Sequence, residues 1–533
     1  MYITTIPNRN SPPAILLRES FRQKGQVKNR TLANLSHWPA ARLAALRRLL
    51  RGEFDHAAAP SLAPQLGPVF GLLWVLKQIA QGLGLGAALG HHRLAKLALF
   101  LVLARVAHQG SRLSAVRWAE DQAVAEVLGL GKFDEDDLYA ALDDLAARQK
   151  KIETRLYRRY LDQRGQPPRL FLYDVTSSYL EGAKNALGAY GYNRDGKRGK
   201  LQIVIGLLAD EAGEPLAVRV FEGNTADPST VVEQIQILRE QFGVKELVFV
   251  GDRGMVKSKG KQALSAVAMR YITALTDPEI RRLLGQGTLQ LGLFSETVSE
   301  VETEGVRYIL RKNPQEAERA QHRLEDKLTK LETQIEARNA QVWEHPRCDP
   351  EAGRRRMEAW VVRHKLTGLV AIQFEGRQLK RERHEEAIRR TLELAGCYVV
   401  TTDVAPTAMS AQQVHDSYVS LAQVERDFRT LKTGLLEVRP VWVRKESRTR
   451  GHVFCCLLAL KLSREVERRL RAALGNTQTR ADAITLPDAL QALSRLCLLH
   501  YAVDEKTTVT KLPQPDARQQ EILQALGATL PAM

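Results

Sequence analysis

Cysteine is scarce in this chain, and the five present, Cys348, Cys397, Cys455, Cys456 and Cys497, include no Cys-x-x-Cys pair. That excludes a disulfide framework and a zinc ribbon and suits a reducing compartment. Long apolar runs are missing as well. The most apolar stretch, Leu94 to Ala107, is broken by Lys96 and Arg105 and falls short of the roughly 20 residues that a membrane-crossing helix needs. No continuous apolar segment precedes Arg9, so no secretory signal is expected and the default location is cytoplasmic. Acidic residues are in the minority, with 61 Asp+Glu against 78 Lys+Arg in 533 residues, a formal charge of +17. Such a surplus favours a polyanionic partner. The hydrophobic share, 44%, is that of a folded protein long enough for several cores of roughly 100 to 200 residues each.

Residues 1–60 carry ten Lys/Arg against three Asp/Glu. Within them Ala14 to Phe21 and Val27 to Leu32 flank Gln23-Lys24-Gly25, which predicts a basic hairpin. Residues 61–165 turn helical, with Leu72, Val75, Leu76 and Ile79, then Leu138, Leu142 and Leu145, recurring every three or four positions. Asp134 to Asp137 precede such a helix, where acids cap free amides and oppose the dipole. Gly82-x-Gly84-x-Gly86 follows a helix, not a strand, and its third glycine is misplaced for a dinucleotide loop.

After Pro167-Pro168 the period changes. Strands are expected at Arg169 to Val175, Gln202 to Leu208 and Pro215 to Phe221, then a helix at Pro228 to Phe242, a strand at Glu246 to Val250, a helix at Lys257 to Ala266 and a strand at Tyr271 to Leu275. That β-β-β-α-β-α-β order is the order of a ribonuclease-H-like core, an α+β fold with a mixed sheet flanked by helices. The expected divisions are a core first part at 166–285, an insertion at 286–400 with strands and a long helix, a core second part at 401–475, and a helical tail at 476–533.

Three acids stand out. Asp174 ends the first strand and Asp252 the fourth, and these strands are neighbours in such a sheet. A charge inside a buried run is costly unless it is paired or bound to metal. Glu425 lies on a helix whose apolar face is Leu421, Val424, Phe428 and Leu431, and Tyr418, Glu425 and Lys432 form a stripe along its border. Carboxylates converging from separate elements are what phosphoryl transfer with two hard cations requires.

The spacing of Tyr418, Glu425 and Lys432 resembles the Tyr-x2-Arg-x3-Glu-x6-Lys signature of DDE insertion-sequence transposases, which also place two Asp residues as Asp174 and Asp252 stand here. The resemblance covers roughly residues 169 to 470. It implies a DNA-cutting and strand-transferring enzyme of cut-and-paste type, using two Mg2+ ions, with Mn2+ able to substitute, held by Asp174, Asp252 and Glu425. It also implies double-stranded DNA as partner, both terminal inverted repeats and target, a homodimer in the DNA complex, a cytoplasmic protein associated with the nucleoid when DNA-bound, and DNA-end contacts from Tyr418 and Lys432. One departure is plain: Leu421 occupies the signature's Arg position, leaving Arg426 or Arg429 to substitute. Arg253 either grounds a phosphate or pairs an acid, and Lys197, Arg198 and Lys200 form a loop that either tracks phosphates or is merely solvated. Arg444, Arg448 and Arg450, in a basic run after the catalytic helix, are read as backbone contacts. A catalytically dead DNA-binding descendant, or a structure-specific nuclease, is the alternative. Residues 1–165 are expected to read the element ends.

Overall fold

The computed structural model describes the chain apart from residues 10, 54–63, 198, 245–246, 254, 257–260, 262–263, 265–268, 346, 435, 437, 439–440, 475–483, 503–507 and 533. The helix expected from Lys257 to Ala266 therefore lies mostly outside the described residues, as does Arg198.

The run Leu170-Phe-Leu-Tyr173 has no charged side chain, the pattern of a strand covered on both faces. It opens β1 (Leu170–Tyr179), which is followed by β2 (Gln202–Asp210), β3 (Pro215–Glu222), β4 (Val248–Gly251) and β5 (Arg270–Ala274). β2 pairs antiparallel with β1 and β3, while β1, β4 and β5 run parallel. The order β5-β4-β1-β2-β3 is the ribonuclease-H-like arrangement expected.

Beyond β5 the sheet continues. β6 (Ser299–Thr303), β7 (Val306–Lys312) and β8 (Cys397–Thr402) extend it to eight strands in the order β6-β7-β8-β5-β4-β1-β2-β3. The insertion expected over 286–400 is thereby corrected. Its first and last strands belong to the central sheet, and the excursion proper runs between β7 and β8. It holds helices Pro314–Glu344, Pro350–Arg363 and Glu385–Glu393 with a hairpin, Val370–Glu375 and Gln378–Arg383. These pack around a small core of their own, including Leu324, Leu328, Leu331, Ile335, Met357, Ile372 and Ile388.

Alternation along β1 divides the interior. Phe171, Tyr173 and Val175 face helix Asp227–Gln236 and its continuation, against Val231, Ile235 and Leu238. Leu170 and Leu172 face the opposite layer, which joins the helices of the amino-terminal half to helix Glu446–Leu474 in one continuous core. The boundaries expected near 165 and 475 do not separate cores. Helix Glu135–Arg164, opened by a capping box between Asp134 and Asp137, lies along helix Glu446–Leu474. Arg93–Ala107, the most apolar segment, is buried almost all round between them, and no described helix is long and apolar enough to cross a membrane.

Three further expectations are corrected by pairing between distant segments. Gln65–Val69 is a strand, where the helical region was expected to begin, and it pairs with Cys497–Ala502, which also pairs with Thr508–Lys511. The tail 476–533 is consequently mixed rather than helical. The amino-terminal hairpin forms, turning at Lys24 (φ 50°) and Gly25 (φ 79°), but Tyr2–Ile6 adds a third strand to it. Across the sheet edge, the buried Arg307 of β7 ties its own strand to the next segment, donating to the Val404 and Met409 carbonyls (2.7 and 2.9 Å) and pairing with Glu300 (2.5 Å).

Gly451 is where the two long helices touch: a Cβ there would overlap the Leu142 carbonyl oxygen. Gly86 lies in helix Leu85–Leu89 with open space around it. Gly86→Ala should therefore be neutral or stabilising by up to about 1 kcal/mol, whereas Gly451→Ala should destabilise by roughly 1–3 kcal/mol. Thermal melts of the two variants should shift in opposite directions or, for Gly86→Ala, not at all.

Candidate active site

The parity that puts Leu170 and Leu172 toward the helix 446–474 layer puts Asp174 there too. Asp174 is not at the strand's end, as the sequence suggested. β1 continues to Tyr179 because β2 pairs with it throughout, and Thr176, Ser177 and Ser178 are buried. What ends near Asp174 is the parallel neighbour. β4 keeps register with β1 up to Tyr173↔Gly251, so the next residue of each chain segment is an aspartate.

Asp174 Oδ1 accepts from the Val175 backbone N–H at 2.7 Å. Asp252 Oδ1 accepts from the Arg253 N–H at 2.6 Å and from the Tyr418 hydroxyl at 3.1 Å. These bonds orient both carboxylates. Glu425 comes from helix Leu421–Arg429, which packs on β1. Leu421, Val424, Phe428 and Leu431 are all buried, as the periodicity predicted, and Glu425 stays exposed on the border of that face. Asp174, Asp252 and Glu425 line one cleft of 690 Å³, together with Arg253 and Tyr418. Its opposite wall belongs to the excursion, with Arg323, Lys327 and Lys365.

Burial pushes the Asp174 carboxyl up to about 7. The Val175 N–H opposes that rise, and the negative charges of Asp252 and Glu425 add to it. Burial and the Asp252 carboxylate likewise raise the Tyr418 phenol. Among the described residues no group of three or more His, Cys, Asp or Glu side chains is gathered closely enough to hold a metal ion. The donor chemistry nonetheless fits hard cations: three carboxylates line one cleft, and burial, with the charges of the other two adding to it, disfavours the charge of Asp174.

The expected stripe of Tyr418, Glu425 and Lys432 is not continuous. The helix expected from Ala411 to about Thr433 breaks at Ser420, between Ala411–Val419 and Leu421–Arg429, and widens into a π-helical turn at Thr430–Gly434. Tyr418 is turned to Asp252, and Lys432 pairs with Asp195 at 2.8 Å, with side-chain exposures of 11% and 2%. The break also accounts for Leu421, which opens the second helix in the core, 6% exposed, where an Arg side chain would be buried.

Other expected contacts scatter. Arg426 and Arg429 are exposed on the glutamate helix, and Arg253 stands at the rim, 3.9 Å from Asp277. Lys197 lies over the Tyr179 ring and Lys200 pairs with Glu181 at 2.6 Å. The basic run after the helix is partly engaged within the chain. Arg444 is exposed, but Arg448 pairs with Asp143 (3.2 Å) over the Tyr139 ring. Arg450 bonds Glu446 (2.9 Å) and the Val220 carbonyl (2.7 Å). They brace the central helix. Asp195 is the residue missed. Its signal was an acid in an otherwise basic loop, and it receives both Lys432 and the Tyr179 N–H (3.3 Å).

A raised carboxyl is protonated more readily in the folded chain than in the unfolded one. Its contribution to stability is thus present below about pH 4 and lost as the pH rises through about 7. Asp174→Asn removes that loss. In metal-free buffer its melting temperature should exceed that of the unaltered chain by several degrees near pH 8 and by much less near pH 5.

No curated protein sequence matches the chain. Among solved structures it is similar to a piggyBac transposase synaptic complex with hairpin DNA, at 9% identity over 79% of this chain and 75% of that one, with a TM-score of 0.36. It is also similar to a Mos1 transposase paired-end complex with left transposon end, at 11% identity over 31% of this chain and 58% of that one, TM-score 0.15. The N-terminal domain of the IS1634 family transposases matches residues 3–64. The transposase DDE domain matches residues 165–462, which span the sheet, the excursion and the glutamate helix, and by that match the chain belongs to the DDE transposase family.

Proposed function

We propose that this transposase cuts DNA at the ends of its own insertion element and joins them to a target by divalent-metal-dependent phosphodiester hydrolysis and strand transfer. The observation that carries the reading is the meeting of Asp174, Asp252 and Glu425 in one cleft from three separate elements. Asp174, Asp252 and Glu425 would hold the metal ions. Bound Mg2+ or Mn2+ supplies activation of a water or a DNA 3′-hydroxyl and stabilisation of the leaving oxygen. The chain's own part is positional. The Arg253 N–H and the Tyr418 hydroxyl fix the Asp252 carboxylate, the Val175 N–H fixes Asp174, and packing of Leu421, Val424 and Phe428 fixes the helix that carries Glu425.

Tyr418 and Lys432 serve this reading as supports of the site as well as DNA-end contacts. The cations on the far wall, Arg323, Lys327 and Lys365, make the cleft attractive to a phosphate backbone. The amino-terminal sheet and helix Ala40–Leu50, with exposed Lys24, Lys28 and Arg30 on the hairpin, read the terminal repeats. Helices 71–164 are part of the central core and hold the catalytic sheet. The chain acts as a homodimer on two element ends, in the cytoplasm.

Asp174→Ala, Asp252→Ala and Glu425→Ala should each lower Mg2+-dependent cleavage of duplexes from the DNA flanking the coding region by roughly a hundred-fold or more, with gel-shift affinity for those duplexes within about two-fold. Cleavage surviving in any of the three would remove that acid from the site, and a chain that binds but never cleaves would be a DNA-binding descendant only. Deletion of residues 1–53 should abolish the sequence-specific gel shift while leaving the melting temperature of the remainder nearly unchanged; an unchanged shift would overturn the end-reading role.

A further inference from the structure

Outside the carboxylate cleft, the loop that links β1 to β2 carries a feature the catalytic reading does not use. Tyr190 and Tyr192 are 71% and 82% exposed, among the most exposed large apolar side chains described. They flank Gly191 on a segment that is not free to move. Ala189 bridges to Gln202 at the start of β2, and the Gln202 amide donates to the carbonyls of Tyr192 (3.2 Å) and Gly223 (2.7 Å). A Cβ on Gly191 would overlap the Gly223 carbonyl oxygen, and one on Gly223 would overlap the carbonyls of Gln202 and Ala189. Two glycines thus let three backbone segments lie in direct contact beneath the rings.

The next cation along is equally fixed. The Arg194 guanidinium lies 5.6 Å from the Tyr192 ring centroid and pairs with Asp227 at 2.6 Å. The Arg194 backbone N–H donates to the buried Ser177 hydroxyl (2.8 Å) on β1, three residues beyond Asp174. Arg194 is near enough for its charge to lower the Asp174 carboxyl slightly, against the larger effects that raise it. Two exposed aromatic rings on a backbone held in place, with a cation over one of them and a basic loop beside them, are the parts of a single-strand site. Base stacking on aromatic side chains is sequence-tolerant and needs a base face that a paired duplex hides. A duplex is gripped by its phosphates and gains little from the rings.

We propose that Tyr190, Tyr192 and Arg194 form a stacking platform for unpaired nucleotides of bound DNA. The proposal rests on the transposase reading and deepens it, adding single-stranded or unpaired DNA to the substrate classes the protein holds.

The test uses the full chain in metal-free buffer with a chelator, so that binding is read without cleavage. Fluorescence anisotropy is followed with a labelled oligothymidylate of about 20 nucleotides and, separately, with a random duplex of the same length. Tyr190→Ala/Tyr192→Ala should weaken oligothymidylate binding about ten-fold or more, since each stacked base contributes roughly 1–3 kcal/mol, and leave the duplex within about two-fold. Tyr190→Phe/Tyr192→Phe, which keeps the rings, should stay within about two-fold on both probes. Equal losses on both probes, an unchanged oligothymidylate affinity in the alanine pair, or a loss in the phenylalanine pair would each overturn the platform. Failure here leaves Mg2+-dependent cleavage by the unaltered chain intact, whereas failure of the transposase reading appears as absence of that cleavage whatever the anisotropy shows.

Discussion

Burial of one acid, Asp174, beside two other carboxylates is the constraint on which the site depends. β1 and β4 stay in parallel register to Tyr173 and Gly251, and each is followed at once by an aspartate. A pair of like charges at the edge of a buried sheet is unfavourable in the free chain, and the third acid, Glu425, adds to the repulsion. The surroundings resist relaxation of the site. Both faces of β1 are packed, β2 holds it along its whole length, and the helix bearing Glu425 is anchored by four buried apolar side chains. The cost of holding Asp174 there is met by this packing rather than by movement of the sheet.

Around this centre, polar contacts transmit position. Tyr418 holds Asp252, Lys432 holds Asp195, and Asp195 in turn holds the end of β1 through the Tyr179 N–H. Arg307 fixes the segment leading into the helix of Tyr418 from the far edge of the sheet. The glutamate helix, the loop after β1 and the edge strands are therefore coupled by ion pairs and hydrogen bonds whose removal would unsettle the acids without touching them.

Much of this was legible in local sequence. The five core strands, their order, the apolar face of the glutamate helix and the capping acids at Asp134 and Asp137 follow from short-range periodicity and cap chemistry. Contacts set by distant partners were not legible. Thr176-Ser-Ser178 reads as the exit from a strand, yet β2 keeps it extended and Asp174 falls mid-strand. Gln65–Val69 becomes a strand only because Cys497–Ala502 lies beside it. The contacts of Arg448 with Asp143 and of Arg450 with the Val220 carbonyl join segments more than 200 residues apart. The three acids that line the cleft were visible in the sequence as residue types, whereas the pairing of Asp195 with Lys432 and the break at Ser420 emerge only from the folded arrangement.

The excursion between β7 and β8 leaves the sheet at Lys312 and returns at Cys397, and these two residues are cross-strand partners. Its two ends are therefore as close as the ends of a hairpin loop. A lobe attached in this way changes length at little cost in loop-closure entropy, because that cost grows only with the logarithm of the number of residues enclosed. Since the lobe supplies one wall of the cleft, the width and charge of the entrance can change without disturbing the register of the sheet that carries the aspartates.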